Sequence, residues 1–339
     1  VFCPRWAAAL CVLPCSALAA EGDLRLTAQT GYDSNVRRDY EQTGTVSDGE
    51  LSLLASGSGR AGGDAWSATG AYDIGVRTFL QYWSEDTLVQ AANGEASYAA
   101  GQTTRVGVET HDKDRRGGNR EYSDFLGGGF IDYAPDEALN IRLRVSGHRF
   151  IYWDNFAYTF TAPEVGFSGR YRFDRHHSIL FSGSVGLRAY DAATSQAAGD
   201  PTPDPRKDTA FTASIGYAYR GPFTASLSYD LFEQDSNSFG QSLTQHRLIG
   251  TAAVRLPWHL FLLVEGTLLY TVYPDGIYLS PDFLLSDDEN ANGLSVKLAR
   301  PLSEHVDVEA HYGIYHNHLP LNGLTYWRVV GWVGLTWRL

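Results

Sequence analysis

The chain has 339 residues, with 39 acidic against 27 basic side chains, a formal charge of -12, 43% hydrophobic residues, 35 glycines and 20 tyrosines. The acidic balance excludes a general nucleic-acid binder, so no nucleic-acid partner is expected. Beyond the first twenty residues no apolar run approaches the roughly 18 to 20 residues of a membrane-spanning helix.

Residues 1–20, VFCPRWAAALCVLPCSALAA, read as a secretory signal, with one cation (Arg5), an apolar run and a small-residue site at Ala17 to Ala19. Cleavage is expected after Ala19 or Ala20, which leaves residues 21–339 as one domain. Cys11 and Cys15 raise a lipoprotein alternative, but Leu10 and Pro14 before them fit a lipobox poorly. All three cysteines (Cys3, Cys11, Cys15) lie in this segment. The exported chain therefore has no disulfide and must draw its stability from a sheet or a large core.

From Asp23 onward, period-two alternation predicts about 16 strands, with 14 or 18 as alternatives. In the first half they are Asp23–Tyr32, Glu50–Gly59, Ala65–Leu80, Val89–Ala100, Thr104–His111, Tyr122–Ala134, Ala138–Tyr152 and Pro163–Phe173. The second half has Ser178–Tyr190, Thr209–Tyr219, Phe223–Phe232, Leu243–Leu256, Leu260–Tyr273, Gly293–Ala299, Val306–Tyr315 and Leu324–Leu339. Every second connection is a short turn with Pro or Gly. The others are longer, as in the Pro- and Asp-rich stretch Asp191–Asp208 and the stretch Pro274–Asn290. This sorting predicts an all-β fold, a single antiparallel up-and-down transmembrane β-barrel. An even strand count brings both ends to the side of the short turns.

The faces separate by parity. Leu139, Ile141, Leu143 and Val145 alternate with Asn140, Arg142, Arg144 and Ser146, and Phe211, Ala213, Ile215 and Tyr217 alternate with Thr212, Ser214 and Gly216. The interleaved residues predict a wet interior instead of a packed core. Two strands are ambiguous in register: Tyr122–Ala134, with Gly127 to Gly129 at its centre, and the Ala-rich Val89–Ala100. Aromatics gather at strand ends. Tyr32, Tyr82, Trp83, Tyr152, Trp153, Tyr190, Tyr273 and Trp327 are expected at one rim, and Trp66, Tyr133, Phe173, Tyr219, Phe223, Trp258 and Trp337 at the other.

The last stretch, YWRVVGWVGLTWRL (residues 326–339), places Trp327, Val329, Gly331, Val333, Leu335, Trp337 and Leu339 on one face. It resembles the closing strand of bacterial outer-membrane β-barrels. That resemblance implies a C-terminal assembly signal at Trp337 and Leu339, although most members end in Phe. The segment GYDSNV (residues 31–36) resembles the opening of a broad group of outer-membrane barrels of the porin type, some encoded with exopolysaccharide synthesis and export systems. Physically, Asp33-Ser34-Asn35 also makes a good Asx turn. The resemblance implies an integral protein of a Gram-negative outer membrane, with both termini periplasmic. Its implied partners are outer-membrane lipid and lipopolysaccharide, the insertion machinery and periplasmic polysaccharide-export proteins.

The expected function is an outer-membrane pore for a hydrophilic substrate, as the barrel of a polysaccharide export system. A general or solute-selective diffusion porin is the alternative, and a scaffold or receptor barrel the second. No long loop stands out as a constriction. No catalytic motif is present, so an enzyme and a cofactor are not expected. The predicted lumen carries a basic cluster of Arg142, Arg144, Arg170, Arg172 and Arg188, and acids at Asp73, Glu95, Glu109, Asp230, Glu265, Asp307 and Glu309. These groups either brace the wall across strands or form a sorted electrostatic surface that selects solutes. The loop SDDENAN offers Asp287, Asp288 and Glu289 as a weak cation site, without the Gly or spacing of a calcium loop. His316 with His318, and His176 with His177, read as structural or surface residues.

Overall fold

Strands that alternate apolar and polar residues satisfy their backbone only when both edges are paired. The chain achieves this by closing a ring. The structure, a computed structural model, describes residues 19–41, 44–118, 120–195, 201–275, 292–319 and 324–339. Most of the signal-like segment, and Asp287, Asp288 and Glu289, lie outside the described residues.

The strands are β1 Ala19–Asp33, β2 Asp48–Gly62, β3 Trp66–Phe79, β4 Thr87–Ala99, β5 Thr104–Arg116, β6 Tyr122–Tyr133, β7 Leu139–Tyr152 and β8 Phe160–Arg172. They continue as β9 His177–Ser195, β10 Pro201–Arg220, β11 Phe223–Ser236, β12 Leu243–Arg255, β13 Phe261–Val272, β14 Asn292–Pro301, β15 Val306–Leu319 and β16 Leu324–Arg338. Each strand pairs with the next in chain order, and β1 closes on β16 to complete a 16-strand antiparallel barrel. The closing seam runs from Arg25 opposite Arg338 to Asp33 opposite Val330. Both ends of the ring of strands lie at the end of the short turns, the turn end. The opposite end is the loop end.

Opposed residues share a face, so parity sorts the whole wall. Leu53, Val108, Val145, Val165, Ile215, Leu268 and Val333 point outward and are exposed. Apolar surface on that scale suits a barrel that crosses a bilayer with strands. No described helix is long and apolar enough to cross a membrane. The ambiguous β6 resolves with Gly128 inward, opposite Ser146, while Gly127 and Gly129 face outward. A Cβ at Gly128 would collide with the Val145 carbonyl and Ser146, so only glycine permits this approach.

The interior is not uniformly wet. Phe79, Tyr122, Tyr152, Phe160, Leu243 and Tyr326, all inward and all at the loop ends of their strands, are buried and form a collar beneath the loops. Two rim assignments are corrected by it. Tyr152 and Tyr190 share the inward parity of Arg142 and Arg188, so they join the interior packing, Tyr190 lying 5.2 Å from Phe160. A second correction concerns Asp191–Asp208. Its described parts extend β9 and β10, with Lys207 opposite Ala189, Pro205 opposite Ala193 and Pro201 opposite Ser195. Pro201 and Pro205 cannot donate to a ladder, and the pairing slips at these residues.

Candidate functional site

The inner wall carries charged residues along its height, whereas outward charged residues such as Asp112, Arg149, Lys207, Glu233 and Arg300 lie toward strand ends. Its register places Arg142, Arg144, Arg170, Arg172 and Arg188 inward, together with Asp73, Glu95, Glu109, Asp230, Glu265, Asp307 and Glu309. They do not form one basic cluster facing scattered acids. Instead the wall divides into sectors.

Arg142 is a brace. Its guanidinium donates to Asp132 at 2.7 and 2.9 Å, to Glu95 at 2.8 Å and to Glu109 at 2.9 Å, and lies 3.7 Å over the Phe130 ring. Three carboxylates from β4, β5 and β6 converge on this one cation from β7. Arg144 reaches Glu109 at 3.4 Å. Neither residue is therefore a free positive charge. Beside them a recess of about 790 Å³, lined by Arg60, Asn93, Glu95, Glu109, His111 and Arg144, opens into the lumen.

Further up β7, His148 bridges Asp124 at 2.6 Å and Glu164 at 2.9 Å. Arg188 donates to Gln234 at 2.9 Å and lies over the rings of Phe160 and Phe232. The remaining acids are mostly neutralised locally. Asp230 faces Arg247 at 3.1 Å, Glu309 faces Lys297 at 2.8 Å, and Asp307 pairs with Arg338. Asp73 and Glu265 have no ion-pair partner among the described residues. Arg170 and Arg172 have none there either, and the charges that act on Arg170 are those of Arg172 and Arg220.

The loop end is organised by GYDSNV together with Arg328 and Arg120, which carry no signal in the sequence. In GYDSNV, Asp33 and Asn35 form the expected Asx turn, the Asn35 amide donating to Asp33 Oδ1 at 2.9 Å. The Asp33 carboxylate also receives Arg328 of β16, Nε at 3.0 Å and Nη2 at 2.6 Å. Both partners are fully buried. Asn35 Nδ2 donates to the carbonyls of Asp39 and Trp327, and Ser34 exchanges two bonds with the Val329 backbone. A Cβ at Gly31 would strike Gly331 and Trp332 across the seam. The motif is thus a clasp that fastens the β1–β2 connection to the closing strand.

From this anchor the described residues 34–41 of the connection reach neighbouring loops. Val36 and Tyr40 are buried, Arg37 stands over the Tyr82 ring and 3.9 Å from Glu85, and Arg120 of the β5–β6 connection donates to the Arg38 carbonyl at 3.3 Å. Burial pushes the Glu85 carboxyl up, and the Arg37 charge opposes the shift only in part. Residues 35–38 of this connection thus contact β16 and the β3–β4 and β5–β6 connections at the mouth.

Other candidates lie outside these sectors. Trp337 faces outward, and the Leu339 amide donates to the Leu24 carbonyl at 2.8 Å, so the last residues belong to the seam. His316 meets the Trp327 ring edge-on on the outer face. His176 and His177 sit against Tyr219 at the turn end. No cluster able to hold a metal ion occurs among the described residues.

No protein-family model matches the chain, and no curated protein matches it. Solved structures do resemble it. Salmonella typhi OmpF, in a complex with daunomycin, aligns with a TM-score of 0.54 at 9% identity, over 94% of this chain and 97% of that one. Acinetobacter baumannii OccAB3 aligns with a TM-score of 0.50 at 9% identity, over 94% and 99%. A bacterial polysaccharide outer membrane secretin aligns at 0.47 and 10% identity, over 94% and 98%. At these identities the likeness concerns fold alone, and the fold is that of a porin barrel.

Proposed function

We propose that the chain is an outer-membrane pore of a Gram-negative bacterium that passes hydrophilic solutes by general or solute-selective diffusion. One observation carries the reading: a closed 16-strand wall, apolar outside, presents ion pairs and small polar side chains on its inner face. A ring of that size encloses more space than inward side chains fill, and charges of this density require water. The collar and the β1–β2 connection narrow the passage at the loop end.

In this reading the short turns and both termini are periplasmic, the N-terminal segment is a removed signal, and the outer belt contacts lipid and lipopolysaccharide. Insertion uses the outer-membrane assembly machinery. Polysaccharide export, with periplasmic export partners, was suggested by GYDSNV, but the Asp33–Arg328 clasp accounts for that segment mechanically. No contact of the motif favours export over diffusion. A scaffold barrel requires a filled lumen along its whole height, whereas the inward Leu54 and Leu180 are exposed. Swelling of proteoliposomes in neutral sugars of graded size tests the proposal. Uptake of small sugars supports diffusion, and absence of swelling with correctly folded protein rejects it.

A further inference from the structure

We propose that the turn-end inner wall of β8–β12 is a binding site for multivalent oxyanions, solutes bearing several carboxylate or phosphate groups, built by Arg170, Arg172, Arg220 and Arg255. The proposal rests on the pore reading and adds the class of solute that the pore handles.

Register builds the site. Arg170 and Arg172 lie inward on β8, with Arg172 opposite Ser178 of β9. Ser178 stands opposite Ala218 of β10, and Arg220, one inward position further, stands opposite Thr224 of β11. Thr224 faces Ala253 of β12, and Arg255 is the next inward residue there. Strands two apart are separated by roughly 10 Å. Arg172 and Arg220, and Arg220 and Arg255, therefore stand about 10 Å apart over a floor of Ser178, Ala218, Thr224 and Ala253, with Arg170 about 7 Å from Arg172 along β8. Small side chains between long cationic ones leave a concave space that each guanidinium can reach into.

Among the described residues no carboxylate pairs with these arginines, and the inward Glu265 of β13 stands opposite Thr251, two inward positions above Arg255. Buried Arg170 Nε has no hydrogen-bond partner. The turn carboxylates nearby are engaged elsewhere: Asp174 accepts from the amides of His176 and His177, and Asp136 from those of Ala138 and Leu139. Glu137, in the same turn, is exposed. The first inner-face acid up β11 is Asp230, held by Arg247 and Ser214. It lies some 20 Å above Thr224 at the strand rise. The adjoining wall shows the contrast, since Arg142 there is met by three carboxylates. Like charges held together on a low-dielectric wall repel unless an anion sits among them. The planar guanidinium fork matches carboxylate and phosphate two bonds at a time. Spacing near 10 Å favours a solute with several anionic groups over a single small ion.

The test is calorimetric titration of tripolyphosphate, and separately of citrate, into the full chain in uncharged detergent at 0.05 M salt. Wild type should bind, and raising salt to 1 M should abolish the binding. The variant Arg170→Gln/Arg172→Gln/Arg220→Gln/Arg255→Gln should bind about tenfold more weakly or not at all, while the all-Lys variant keeps a salt-sensitive fraction. Heat-modifiability on gels verifies folding. If the quadruple variant misfolds, Arg172→Gln/Arg220→Gln carries the test with an expected loss of about threefold or more. No binding by wild type, or equal binding by a folded Gln variant, overturns the proposal. Planar-bilayer conductance of the same samples reports on the pore separately, so binding without conductance would reject the pore reading and leave the site standing.

Discussion

Replacing Asp33 by Asn keeps the Asx acceptor for the Asn35 amide but removes the charge that faces Arg328. Arg328 is 1% exposed and Asp33 0%, and bonds of 3.0, 3.1 and 2.6 Å join them. Removing one partner of a buried ion pair typically costs about 3–5 kcal/mol. Arg328 keeps a distant contact with the Tyr315 ring at 6.0 Å, worth about 0.5–1 kcal/mol. The net expectation for Asp33→Asn is therefore about 3 kcal/mol, with a similar loss for Arg328→Gln. The double variant should cost less than the sum, by about 1.5–3 kcal/mol, because the two side chains share one interaction that either single substitution already removes. Urea unfolding of detergent-refolded protein, followed by tryptophan fluorescence, measures all four states. Single losses below about 1 kcal/mol, or strict additivity, would refute the clasp as the fastening of the seam.

The brace predicts that Arg142→Gln leaves Glu95, Glu109 and Asp132 facing one another and destabilises the barrel by about 1–3 kcal/mol, in part recovered by adding Glu109→Gln; the same unfolding assay reads both, and no loss would make the network incidental. Deleting Trp337 to Leu339 removes backbone bonds to both neighbouring strands, so immunoblots should find degraded or periplasmic protein, while Leu339→Phe inserts normally; a truncated chain that inserts and stays heat-modifiable contradicts this assembly role. Single cysteines at Asp191 or Asp204 should react with an impermeant maleimide on intact cells, and cysteines at Pro135 or Pro257 should not. Equal labelling of the two sets would overturn the proposed orientation.

The outer face was legible because lipid imposes one rule on every other residue, and Leu139 to Val145 or Trp327 to Leu339 obey it without exception. Parity likewise placed Arg142 and Arg188 inward. It does not reveal how far each charge stands along the neighbouring strands. Arg142 meets Glu95, 47 residues away, because the stagger of the strands aligns them, whereas Arg170 has no ion-pair partner among the described residues. Tyr152 and Tyr190 look the same at a strand end whether they turn inward or outward, and only parity, applied strictly, assigns them to the collar. The tall β9–β10 hairpin was hidden by Pro201 and Pro205, which punctuate turns far more often than strands. Arg328 carried no local signal. Its partner is 295 residues distant, brought near by closure of the ring.

The central claim is that the barrel encloses a continuous aqueous path, and single-channel recording in a planar bilayer tests it most directly. Purified, heat-modifiable protein in 1 M KCl should give discrete, ohmic current steps, and in a salt gradient at low ionic strength the reversal potential should shift toward anions. Protein that inserts in folded form and yields no current steps would contradict the account.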